Sequence, residues 1–399
     1  MRKFGPGLIV TAAFIGPGTL TTASYAGASY GFALLWAILF SIVTTFVLQD
    51  MSIRLGLATR LNLAEAFRQS FTNIWLKRLA IFLIIAAIGI GNAAYEAGNI
   101  TGAAFAIANA TNINQNILVV AIGLAAGLLL WIGQYKILEK VLIFLVLLMS
   151  VVFIATFLIV DIDWSSLAIG LFNPSIPDGA LLTTIALVGT TIVPYNLFLH
   201  ASAVQEKWPD NLDKNKAIRE ARLDAGFAIT LGGLITIVIA ANAAGAFFQQ
   251  GQEFSMATMS EQLSPVLGSA APFVFSLGLF AAGMTSAIAA PIAASYAVCG
   301  ALNKPTDLNA PLFKIVWMTV LICGVFFAST GIKPLTIILF AQAANGLLLP
   351  IIAVFLLVIM NNKSLLKNYA NSNKANVVAS ILVGVVCLLG LYKLYSLVS

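Results

Sequence analysis

The sequence predicts an all-α integral membrane protein, one transmembrane domain of about eleven spanning helices. Three observations carry that prediction. Of 399 residues, 60% are hydrophobic and only 9% are charged, against about 25% charged in soluble domains. Apolar runs of about 20 residues, the length that crosses the hydrocarbon core as a helix, recur along the whole chain. Threading them alternately through a bilayer leaves all but two of the 21 Lys and Arg on one side. A barrel would need short strands of alternating polarity, whereas these runs are apolar on every side and rich in Ala, Leu, Ile and Gly.

The first run covers residues 7–31. Arg2 and Lys3 precede it as they would a signal peptide, but Gly5-Pro6-Gly7 and Gly16-Pro17-Gly18 interrupt it and no cleavage pattern follows, so it reads as a span. The second, 33–57, ends among Arg54 and Arg60, and the third, 78–108, opens at Arg78, just after Lys77. Lys136 and Lys140 mark the turn between 116–135 and 139–160. An acidic loop with Asp161, Asp163 and Asp178 leads into the sixth run, 180–204, and a basic one with Lys214, Lys216, Arg219 and Arg222 into the seventh, 222–248. Glu253 and Glu261 precede 268–300, Lys304 precedes 312–331, and Lys363, Lys367 and Lys374 separate 333–360 from 376–397.

Only Lys333 and Lys393 fall on the acidic side. Basic residues near span ends are retained in the cytoplasm, which places the N-terminus inside and suggests a bacterial inner membrane. The net charge of +6 is therefore a signal of topology, with no nucleic-acid partner implied. The acidic outer loops are a solvated surface or a weak funnel for cations. Cys299, Cys323 and Cys387 lie inside apolar runs without metal or redox spacing and read as packing residues. No nucleophile with a paired base, phosphate loop or cofactor motif is present, so no enzyme and no cofactor is expected. The expected partners are the bilayer and a small ion; the oligomeric state is left open.

Two of the runs are broken. Gly16-Pro17-Gly18-Thr19 sits in the middle of the first, where glycine loosens the backbone and proline removes a donor. The sixth repeats the device at Thr191-Ile192-Val193-Pro194-Tyr195-Asn196. Five spans separate the two, so the second break faces the opposite way across the membrane. This is the pattern of two inverted five-helix repeats, about 7–160 and about 180–360, with an extra helix at 376–397. Paired interruptions at matching positions point to a transport site near the midplane, formed here by Gly16, Pro17, Gly18, Thr19, Val193, Pro194, Tyr195 and Asn196.

Polar groups in the apolar runs are costly and hence candidates for function. Asn92, Glu96 and Asn99 share a face of the third helix; Asn196 and His200 share one on the helix after the second break. Glu96 reads either as a buried protonated carboxyl or as a proton acceptor, and His200 either as a structural imidazole or as a proton relay. Gln342 with Asn345, and Thr285 with Ser286, are further polar pairs that either pack helices or line a pathway.

The residues Gly16-Pro17-Gly18-Thr19, Gly27-Ala28-Ser29-Tyr30-Gly31, Val193 to His200, Glu96 and Gln342 make the chain, nearly end to end, resemble the Nramp family of proton-coupled divalent metal transporters, whose fold is similar to that of the leucine transporter. The resemblance implies a LeuT-like fold with helices 1 and 6 broken and alternating access by rocking of the bundle that holds the breaks. It also implies substrate contacts near both breaks and Gln342, and a proton route through Glu96 or His200.

The family motifs are Asp-Pro-Gly-Asn in the first helix and Met-Pro-His in the sixth. Here Gly16, Thr19, Val193 and Tyr195 replace the Asp, Asn, Met and His; Ala93 replaces an aspartate of the third helix, and the ninth span lacks the family's arginines. Manganese and ferrous iron favour carboxylate, amide and thioether ligands. A cation held by carbonyls, Thr19, Tyr195, Asn196 and Gln342 would keep part of its water, as magnesium does. Without the aspartate the positive half-helix ends stand unopposed, so a small anion such as bicarbonate or a short carboxylate is a rival substrate, as is a neutral solute. A receptor or scaffold without transport is the third reading.

Overall fold

The computed structural model describes residues 15–70, 73–111, 113–133, 136–209 and 212–395. Their regular structure is all helical. In chain order the helices are α1 (Pro17–Tyr30), α2 (Leu35–Thr59), α3 (Leu63–Ser70), α4 (Ile74–Thr111), α5 (Gln115–Ile132), α6 (Lys136–Ile159) and α7 (Trp164–Phe172). There follow α8 (Leu181–Thr191), α9 (Pro194–Lys207), α10 (Lys214–Ala243), α11 (Ala271–Ala301), α12 (Pro311–Ala328), α13 (Pro334–Met360) and α14 (Asn373–Tyr395), joined by short turns.

Among the described residues ten helical stretches are long and apolar enough to cross a membrane, with α8 and α9 together counted as one. They fall on the second to eleventh predicted runs. The first run is represented by α1 alone, since residues 7–14 lie outside the described residues. The chain is thus a multi-pass membrane protein.

No hydrophobic force holds helices together inside lipid, so they associate where small residues let backbones approach. The sequence supplies such residues at each principal crossing. A side chain at Gly27 of α1 would overlap the carbonyl of Ala240 in α10, and one at Gly56 of α2 the carbonyl of Ala201 in α9. α8 and α13 interlock from both sides: Gly189 lies on the carbonyl of Gln342, and Gly346 on the carbonyl of Ile185. Gly283 of α11 likewise admits Ala103 and the Asn99 carbonyl of α4. These contacts assemble α4, α11 and α13 into a frame against which α1 and the α8–α9 pair rest.

Proline has two behaviours in this chain. Pro291 and Pro350 lie inside α11 and α13 without ending them. Pro17 and Pro194 instead open helices, at first-turn positions where the missing N–H would have had no helical partner. At the basic end of the bundle, buried Arg54 of α2 donates to Asp50 Oδ2 at 2.9 Å, to the Tyr369 carbonyl at 2.8 Å and to Asn371 Oδ1 at 2.7 Å. It thereby ties α2 to the link between α13 and α14.

Candidate functional site

α1 and α9 begin in the same way. Each is 14 residues long, has its proline in the first turn, and has no side-chain cap. The residue before each proline is extended: Gly16 at φ −85°, ψ 174° and Val193 at φ −75°, ψ 116°. α8 stops at Thr191, so Ile192 and Val193 part the sixth span into two half-helices, as its sequence predicts. Of the predicted first break, the start of α1 at Pro17, after Ile15 and Gly16, is within the described residues.

The first break is a receiver for side chains from the frame. A Cβ at Gly16 would stand 3.1 Å from Ser286 Oγ of α11 and 3.4 Å from Tyr95 Oη of α4. One at Gly18 would overlap the side-chain amide of Gln342 of α13. Pro17 packs into the space left by Gly102 of α4. Thr19 Oγ1 lies 3.0 Å from Thr190 Oγ1, joining α1 to α8 across the two breaks. The second break fills its own surroundings: Val193 and Tyr195 pack with Tyr95, Ala290 and Ala293. The rings of Tyr95 and Tyr195 meet edge to face with centroids 5.5 Å apart. Neither ring's hydroxyl forms a hydrogen bond among the described residues.

The structure therefore gathers Gly16, Pro17, Gly18, Thr19, Val193, Pro194, Tyr195 and Gln342 into one region. Asn196, two residues after Pro194, is buried. Asn345 lies one turn along α13 from Gln342, its Oδ1 facing Gly91 of α4. Glu96 and His200 are turned elsewhere. Glu96 packs against Gly324 of α12 and accepts from Asn99 Nδ2 at 3.2 Å. His200 Nδ1 is hydrogen-bonded to Gln49 Oε1 of α2.

Two residues at the centre stand outside the motifs. Thr190 precedes the sixth-helix motif, and Tyr95 adjoins the more conspicuous Glu96. A signal for Tyr95 does exist: Gly91, Tyr95, Gly98 and Gly102 are spaced four, three and four apart, so they share one helix face. On that face only Tyr95 carries a polar group.

The polar chemistry here is neutral. Tyr95 Oη, Tyr195 Oη, Ser286 Oγ, both polar atoms of the Gln342 amide, and one atom each of the Asn196 and Asn345 amides have no hydrogen-bond partner among the described residues. Each is buried, and an unsatisfied buried polar group costs about 1–3 kcal/mol. Such a collection suits a polar guest that supplies the missing partners. Among the described residues no three His, Cys, Asp or Glu side chains gather to hold a metal. Ligation of a bare soft metal ion does not fit this set, whereas oxygen ligands and hydrogen bonds to a hydrated species do.

The family description "natural resistance-associated macrophage protein-like" matches residues 7–396. The divalent metal cation transporter MntH of Verminephrobacter eiseniae is 29% identical over 388 residues, covering 94% of this chain and 85% of that protein. MntH of Yersinia pestis is 28% identical over 402 residues, covering 98% and 94%. Among solved structures, the Eremococcus coleocola manganese transporter has the same fold, with a TM-score of 0.76 and 21% identity over 98% of this chain and 86% of that one.

Proposed function

This chain belongs to the Nramp family, and from that premise we propose that it is a secondary active transporter of a divalent metal cation that travels with part of its water. Such a transporter is no enzyme: the cation crosses the membrane chemically unchanged. The observation that carries the reading is the cluster of buried, unpartnered hydroxyls and amides around the two breaks, with no group of three His, Cys, Asp or Glu among the described residues to hold a bare metal. Neutral oxygens repay too little of a divalent ion's dehydration to strip it, so a hard ion that keeps some water suits them. The cation transporters among its relatives support this reading over a small anion, a neutral solute or a receptor without transport.

The cation would sit between Gly16–Thr19 and Val193–Asn196, with Gln342 and Asn345 beside it. Alternating access would follow from rocking of α1, α2, α9 and α10 against the frame, the repeats being about 7–160 and about 180–360. A proton route, where present, would use the Glu96 carboxyl behind Tyr95. Its neighbour in α12 is Gly324 rather than a cation, so coupling to protons would be weak. The cytoplasmic N-terminus and inner-membrane placement follow from the charge asymmetry.

Uptake of manganese and magnesium into proteoliposomes tests the proposal, with a Gly16→Asp/Thr19→Asn/Val193→Met variant alongside. Saturable uptake by the unmodified protein, with magnesium favoured relative to the triple variant, is expected. Uptake of neither cation by the unmodified protein would overturn the reading.

A further inference from the structure

We infer that Tyr95 and Ser286 are specificity-determining residues, whose hydroxyls replace the side chain absent at Gly16 and hold the water shell of the transported cation. The inference rests on the transport reading above and deepens it. Gly16 offers no side chain, yet its surroundings are not open: a Cβ there would meet Ser286 Oγ at 3.1 Å and Tyr95 Oη at 3.4 Å. Two hydroxyls from different helices thus converge on the point from which a side chain at this position would project.

Tyr95 is 0% exposed and Ser286 1%. Neither hydroxyl has a hydrogen-bond partner among the described residues. In this they differ from Thr285, whose Oγ1 returns to the Ala281 and Ala282 carbonyls of its own helix at 3.0 Å, and from Ser295, which bonds the Pro291 carbonyl at 3.0 Å. Ser and Thr hydroxyls inside helices commonly bond back in that way. Ser286 does not, and it is the one aimed at Gly16.

A hydroxyl accepts a hydrogen bond from a metal-bound water or offers a lone pair to the metal, and it brings no charge in either role. Neutral acceptors suit an ion that keeps its water and do little to strip one that must be ligated directly. The pair therefore sets a preference for a hydrated hard cation. The same contacts oppose restoring a carboxylate alone: an aspartate at position 16 would press its Cβ toward Ser286 Oγ at a tight 3.1 Å.

The test compares the full chain with Tyr95→Phe, Ser286→Ala and the double variant, using magnesium and manganese as probes. Binding is read by titration calorimetry and by the cation-induced thermal shift in detergent, and transport in proteoliposomes. Each single substitution is expected to weaken magnesium affinity and raise its KM by about five- to tenfold, and the double by more. The magnesium-to-manganese preference is expected to fall in every variant. Thermal stability without added cation should be unchanged or raised, because each hydroxyl removed is unpartnered; a merely structural role would lower it and leave the preference alone.

Magnesium affinities and preference ratios within twofold of the unmodified protein would overturn the inference while leaving the transport reading intact. An unmodified protein that binds and moves neither cation would overturn both. A Gly16→Asp variant that gains manganese transport only together with Ser286→Ala would support the shared position of the two groups.

Discussion

The two proline-led helices, α1 and α9, begin with the same backbone and differ in what surrounds their first turns. At both, an extended residue leads into a first-turn proline and a 14-residue helix. At the first break the flanking residues are Gly16 and Gly18, and the space they leave is taken by Ser286, Tyr95 and Gln342 from three other helices. At the second the flanking residues are Val193 and Tyr195, which fill their own surroundings. Matching interruptions therefore do not imply matching ligand supply. One break is concave and takes its chemistry from the frame; the other is convex and supplies apolar bulk with one aromatic hydroxyl.

The sharpest way to break this comparison is to put side chains on the concave side. Gly18→Leu is expected to reduce divalent-cation uptake at least ~100-fold, because leucine must displace the Gln342 amide from the site, an effect near 2.7 kcal/mol on this scale. Val193→Ala at the convex break should change uptake less than about threefold. Equal losses in proteoliposomes, with both variants folded, would mean that the two breaks contribute alike.

A smaller effect is expected where the α8 half-helix leans on α13. Gly189→Leu forces a side chain into the Gln342 carbonyl and the Gly346 backbone, an overpacking that costs about 1–3 kcal/mol. Gly384→Leu in α14, where nothing lies within 4 Å, is the control and should be neutral. Thermal unfolding of the two variants in detergent checks this. A neutral Gly189→Leu would mean that the α8 half-helix is free to shift and is not fixed by that contact.

The smallest effect lies at the end of the bundle opposite Arg54, where α1 ends at Gly31 and Gly170 of α7 lets the Phe32 carbonyl approach. Asp163 caps α7, accepting from the Ser165 and Ser166 amides at 3.0 and 3.1 Å. Hydrogen bonds from the Ser166 hydroxyl and from these amides hold its carboxyl below the ordinary value of 3.8. Since the folded value lies below the unfolded one, the cap's contribution is fully present above that ordinary value and is lost as pH falls through the lower folded value. Measured against the intrinsic rate at each pH, amide exchange at Ser165 and Ser166 should therefore lose protection on acidification in the unmodified protein. In Asp163→Ala it should be fast across the same range, and identical profiles would remove the carboxylate from the cap.

Much of this was legible in the sequence because lipid makes few demands and makes them strongly. Glu96 and His200 were conspicuous as charged or titratable types in apolar runs, yet they are turned toward Gly324 and Gln49, away from Gly16. Tyr95 was inconspicuous, because a tyrosine in an apolar helix is ordinary and its neighbour is a glutamate. Its role depends on the rotation of α4, which Gly91, Gly98 and Gly102 set by packing against α13 and α1. Cost in hydrocarbon identifies a residue that needs a reason to be there, and the direction in which it points is a separate question.

The sequence by itself determined the helical class, ten spans matched by long apolar helices and the position of the second break. Hydrocarbon length, internal backbone hydrogen bonding and the missing N–H of proline act locally along the chain. Only the tertiary structure decided which groups surround Gly16. The approach of Ser286, Tyr95 and Gln342 depends on the mutual rotation of four helices, set by close contacts between residues far apart in sequence. A glycine in a run reports that something can come near; what comes is known only once the helices are packed.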